Sequence, residues 1–109
     1  MKALLWRAVA ERDAAEAAFW YAKQGGLILG EEFFAEVEAA LAHIAAHPGI
    51  GAARHANYAP DLPLPLRYLA VKRFERYLIY YVEMPTHVDV VRVWNTARGL
   101  DALMSDVTE

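Results

Sequence analysis

The sequence predicts an α+β domain in the order β-α-α-β-β-β-α: an N-terminal strand, an αα-hairpin, a three-stranded antiparallel meander and a short C-terminal helix. Three observations lead there. The first half of the chain is rich in alanine, and the second half in valine, leucine and tyrosine, which places helices ahead of sheet. The stretch Val71 to Val82 is dense in β-branched and aromatic residues, with a charged break from Arg73 to Arg76. That is the pattern of two antiparallel strands about a short turn. Gly25-Gly26 separates two helix-forming stretches, and helices joined by a short glycine link form a hairpin. Helices packed on one face of an antiparallel sheet make the α+β class.

Residues 2–8 read as a short first strand with weak alternation. Glu11 to Gln24 reads as a helix, with Ala14, Ala17, Ala18 and Tyr21 at helical spacing. Glycine past a helix end stops it, as Gly25-Gly26 does here. A second helix is expected from about Gly30 to Ala46, with Phe34, Val37, Leu41 and Ile44 as its apolar stripe. Glu31 and Glu32 in its first turn and His43 and His47 near its end suit the helix dipole. A Pro-rich loop from Gly49 to Pro65 carries Arg54, His55, Asn57 and Asp61, and its prolines disfavour both helix and central strand. Strands are expected at about Leu66–Arg73, Tyr77–Glu83 and Val88–Trp94, the last two joined by Met84-Pro85-Thr86-His87. Gly99 to Asp106 adds a helical turn or two.

At 109 residues the chain is one domain, residues 1–109. With no cysteine, disulfides and thiolate metal sites are excluded and a reducing compartment suits it. No apolar run approaches the roughly 20 residues of a spanning helix, so a soluble, cytoplasmic protein is expected. The net charge of −3 is unevenly laid out. Residues 65–98 hold Arg67, Lys72, Arg73, Arg76, Arg92 and Arg98 against Glu75, Glu83 and Asp89. This local basic region falls short of a nucleic-acid footprint and fits an acidic protein segment better. Sequence-specific DNA binding by the chain alone is not expected.

His43 and His47 stand at the i, i+4 spacing that can share a zinc ion. The glutamate of His-Glu-x-x-His is missing between them, so they read as helix-end histidines and no metal or other cofactor is expected. The single serine, Ser105, lies near the terminus; no catalytic residue is assigned. What remains is an arginine and aromatic set around the sheet: Arg67, Arg73, Arg76, Tyr77, Arg92, Trp94 and Arg98. Arginine binds carboxylate or phosphate bidentately, but phosphodiester cleavage also needs a proton-transfer group in line with the cations, and His87 falls in a hairpin loop away from them. Arg92, between Val91 and Val93, reads equally as a surface residue alternating with core.

The chain resembles ParE-type toxins of the RelE/ParE superfamily over nearly its whole length. The resemblance lies in the helical hairpin followed by Ile44-Ala45-Ala46-His47-Pro48-Gly49-Ile50-Gly51, and in Leu66-Arg67-Tyr68. It continues in Val71-Lys72-Arg73-Phe74 with Tyr77-Leu78-Ile79-Tyr80-Tyr81, and in Val91-Arg92-Val93-Trp94-Asn95-Thr96-Ala97-Arg98. Asn95 stands where ParE-like chains often have histidine, and Gly99 where an acidic residue often follows the arginine. What the resemblance implies is the toxin of a type II toxin–antitoxin, plasmid-stabilisation system, neutralised by a small ParD-like antitoxin. ParE-like members are associated with poisoning DNA gyrase; RelE-like members cleave ribosome-bound mRNA, using a tyrosine or histidine near the C-terminus that is absent past Trp94 here. The expected partner-binding residues are then Arg67, Arg73, Tyr77, Arg92, Trp94 and Arg98. The alternatives are a RelE-like endoribonuclease or a degenerate member that only binds its antitoxin.

Overall fold

Strand pairing organises the molecule. The computed structural model describes residues 1–53 and 65–99, and within them two helices cover one face of a four-stranded sheet. β1 (Ala3–Trp6) leads into α1 (Ala8–Gly25) and α2 (Leu27–Ala46); β2 (Leu66–Val71), β3 (Phe74–Glu83) and β4 (His87–Asn95) follow. The order across the sheet is β1-β4-β3-β2. β2, β3 and β4 form the expected antiparallel meander, while β1 lies parallel to β4, from Ala3 opposite His87 to Trp6 opposite Val90. Among the described residues no helix is long and apolar enough to cross a membrane.

The helix-side core joins Ala10, Ala14 and Ala17 of α1 to Phe33, Val37, Leu41 and Ile44 of α2, over Ile79, Tyr81, Val88, Val90 and Val93 of the sheet. Alanine on α1 lets the helices approach closely: a Cβ added to Gly30 of α2 would lie 2.7 Å from the Ala18 carbonyl oxygen. A second buried cluster, on the other face of the sheet, holds Leu66, Tyr80, Val82, Val91 and Trp94. The membership of Val91 and Val93 in opposite clusters departs from strand alternation. A β-bulge explains it, since Tyr80 pairs with Arg92 while Tyr81 pairs with Val90, leaving Val91 as the extra residue.

Several boundaries differ from expectation. β1 is shorter, and α1 starts at Ala8 rather than Glu11. α2 starts at Leu27 because only Gly26 breaks the chain, with φ +94°. Its buried aromatic is Phe33, and Phe34 is half-exposed. Both positions fit the helical period, and Phe33 is selected by its aromatic neighbours: Tyr21, Phe74 and Tyr77 lie within 5.2 Å, centroid to centroid. The charged break is a two-residue turn at Lys72-Arg73, with Arg73 at φ +71°, so β3 begins at Phe74. After β4 a single 3₁₀ turn, Thr96–Arg98, is seen; the rest of the expected C-terminal helix and Ser105 lie outside the described residues, as do Arg54, His55, Asn57 and Asp61.

The chain after α2 is tied to the sheet by a backbone bridge between Ala52 and Tyr68 and by the Tyr81 side chain. The Tyr81 hydroxyl donates to the Pro48 carbonyl at 2.6 Å and accepts from the Gly51 N–H at 2.8 Å. A Cβ on Gly51 would sit 2.5 Å from that hydroxyl oxygen, so the close approach requires glycine. The Pro48-Gly49-Ile50-Gly51 motif is thereby a clasp.

Candidate functional site

β1 ends opposite Val90, so among the described residues the rest of β4 has no strand neighbour on that side. An uncovered strand edge needs acceptors for its N–H groups, and α1 supplies one. Asp13 Oδ2 accepts from the Val93 N–H at 3.2 Å and from Arg92 Nε at 2.7 Å, while Oδ1 accepts from the other arm of the Arg92 guanidinium at 2.9 Å. Both side chains are buried, Arg92 being 3% and Asp13 9% exposed. The bulge at Val91 places Arg92 opposite Tyr80, on the face of Trp94, and from there its guanidinium reaches Asp13 of α1. Its burial corrects the reading of Arg92 as a surface residue.

Trp94 lies in the second buried cluster with its Nε1–H donating to the Gly99 carbonyl at 3.1 Å. The guanidiniums of Arg92 and Arg98 stack on its ring at 4.6 and 4.3 Å from the centroid, an arrangement favoured by the ring quadrupole. Neither Arg92 nor Trp94 presents its side chain to solvent. Both act as the floor that positions the exposed Arg98.

Between α1 and the end of the sheet opens a cleft of about 310 Å³. α1 contributes Glu16 and Trp20, β3 contributes Arg76 and Tyr77, and Asn95 and Arg98 close it from the end of β4. Asn95 has two roles. Its Oδ1 accepts from the Ala97 N–H at 3.0 Å and so shapes the turn that carries Arg98, and it stands opposite Tyr77 in the β3–β4 ladder, where it lowers that phenol's pKa. Burial, helped by Tyr21, raises the Tyr77 pKa above 10.0, while Asn95, Arg76 and Arg98 pull it down. Two guanidiniums thus act on one phenol. At neutral pH Tyr77 is a neutral donor within a cationic pocket.

Arg67 and Arg73 lie elsewhere. Arg67 donates to the Gly51 carbonyl at 2.9 Å and reinforces the clasp. Arg73, at the β2–β3 turn, pairs with Glu32 of α2 at 2.9 Å on the surface. The expected set therefore divides: Tyr77, Arg92, Trp94 and Arg98 gather at one end of the sheet, and Arg67 and Arg73 do not join them. Asp13, Glu16 and Trp20 were missed by sequence reasoning. Asp13 left a trace, as the one acid on the alanine stripe of Ala10, Ala14 and Ala17. His43 and His47 stand 5.7 Å apart, ring to ring, and among the described residues no third ligand joins them.

A second feature lies on the outward side of the hairpin. Phe19 and Ala22 of α1 and Leu27 and Phe34 of α2 line an apolar groove of about 500 Å³, with Gly30 at its base. Phe19 is 63% and Leu27 71% exposed. Large exposed apolar side chains gathered in one groove make this a candidate interaction surface.

A strand, a helical hairpin and an antiparallel meander define a small α+β domain. A chain described as "Chromosomal ParDE TA system from P. aeruginosa" shares that fold, with a TM-score of 0.70 and 16% identity, covering 87% of this chain and 96% of that one. Residues 4–100 match the family described as the ParE toxin of the type II toxin–antitoxin system, parDE, and the chain belongs to that family. No curated protein sequence matches it.

Proposed function

We propose that this ParE-family toxin acts by binding a protein target, DNA gyrase, in the cytoplasm, and that a small ParD-like antitoxin neutralises it. The observation that carries the protein-binding reading is the commitment of three arginines of the sheet and its turn. Arg92 is locked to buried Asp13, Arg67 holds the Gly51 carbonyl and Arg73 pairs with Glu32. A nuclease site needs such cations convergent on one phosphate, and these three point to three different partners. Gyrase as the target rests on the family. The apolar groove of Phe19, Leu27 and Phe34 suits an amphipathic antitoxin helix, a common mode by which a disordered segment folds on its target.

The test sets gyrase supercoiling and cleavage-complex assays beside an in-vitro translation assay. Loss of supercoiling with intact mRNA is the expected result. Cleaved mRNA with unaffected gyrase overturns the proposal in favour of an endoribonuclease, and neither effect points to a member that only binds its antitoxin.

A further inference from the structure

We infer that the cleft between α1 and the end of β4 is a receptor for one carboxylate carried on an extended acidic segment of a protein partner. The inference names the partner chemistry of the site above and rests on the protein-binding reading. Arg76 and Arg98 are exposed, and among the described residues neither makes an ion pair. Arg98 is nonetheless held in place, stacked 4.3 Å from the Trp94 ring centroid, which leaves the edge of its fork open for a bidentate acceptor. Tyr77 adds a hydroxyl that feels both guanidiniums. Donors fixed before binding lose less side-chain freedom on binding.

The charge count selects the ligand. Asp13 is already neutralised by Arg92, so Arg76 and Arg98 face only Glu16 within the cleft. One extra negative charge balances the site. A run of phosphates would meet Glu16 at once, and the whole chain is already at −3, so a nucleic-acid backbone is disfavoured. The edge of β4 here is already met by α1, whose Asp13 accepts from the Val93 N–H, so a segment in the cleft is held through its side chains rather than by strand pairing. An extended segment running there carries its acid to Arg76 and Arg98 and an apolar neighbour to Trp20, which is 45% exposed.

The experiment is a titration of the ¹⁵N-labelled full chain, followed by NMR, with a short capped peptide in which glutamate alternates with leucine. The same peptide with glutamine for glutamate and an oligothymidylate serve as comparisons. Shifts at Asn95, Arg98 and the Trp20 indole are expected with the glutamate peptide. Binding is expected to weaken about tenfold with the glutamine peptide and with the Arg76→Gln/Arg98→Gln chain, as for loss of a charge-assisted hydrogen bond. Equal affinity for the two peptides, unchanged affinity in the double variant, shifts confined to the Phe19 and Phe34 groove, or tighter binding of the oligonucleotide each overturn it. The titration reads binding alone, so it can fail while gyrase is still poisoned, and the reverse.

Discussion

Asp13 serves three donors with two oxygens: a strand-edge N–H and both arms of a guanidinium. Such a buried pair adds little net stability over an apolar pair, yet breaking it is costly because a buried charge loses its counter-charge. Asp13→Ala is therefore expected to lower the unfolding free energy by about 3–5 kcal/mol, read from urea denaturation. A loss as small as that of a surface pair, below about 1 kcal/mol, would mean that water reaches Arg92. Tyr80 makes a prediction of a different kind. Burial, with a smaller contribution from Tyr68, raises its pKa to about 12 from 10.0. The folded state thus retains a proton that the unfolded chain releases, so stability falls as pH rises from 10 towards 12. Tyr80→Phe removes one proton from that difference and should flatten the alkaline slope by up to about 1.4 kcal/mol per pH unit. An identical slope in wild type and variant, from denaturation midpoints across that range, would refute the assignment.

At the scale of elements, the helical hairpin depends on the crossing at Gly30. Alanine normally favours a helix interior by about 1 kcal/mol over glycine. Here the added Cβ would stand 2.7 Å from a backbone oxygen of α1, which cannot swing aside as a side chain could. Sterics should win, and Gly30→Ala is expected to destabilise by about 1–3 kcal/mol. A rise in thermal midpoint would show that the helices can separate without loss. The hairpin, the meander and the class of the fold were legible because helical and strand periods are local properties of the chain. The parallel pairing of β1 with β4 was not, since it joins distant segments and leaves no local pattern. The site was half legible. Tyr77, Trp94 and Arg98 were singled out from the arginine and aromatic residues around the sheet, and the fold gathers them at one end of it. The role of Arg92 was hidden by a bulge, which shifts alternation by one residue without a sequence signal such as glycine. Glu16 and Trp20 were hidden because a polar face on a helix looks the same whether it meets solvent or a cleft.

For the whole molecule, a stable core and an exposed apolar groove occupy different parts of the same helices. Ala14, Ala17 and Phe33 face the sheet, while Phe19, Leu27 and Phe34 face outward. Phe19→Ser with Leu27→Lys is expected to change stability by no more than about 0.5 kcal/mol per site, while abolishing co-purification with the cognate antitoxin. Antitoxin retention by this variant, with an unchanged urea midpoint, would exclude the groove as its seat.

The parallel partner of β1 is the last strand of the sheet, Ala3 being opposite His87. Long-range pairing of this kind forms late, because closing the intervening loop costs entropy before any contact repays it. During synthesis, which proceeds from the N-terminus, the first strand must wait until β4 has left the ribosome. The cleft waits too, since Asn95 and Arg98 follow β1 by most of the chain. In a nascent chain the residues of the helical groove, Phe19 to Phe34, are therefore all present well before those that complete the cleft.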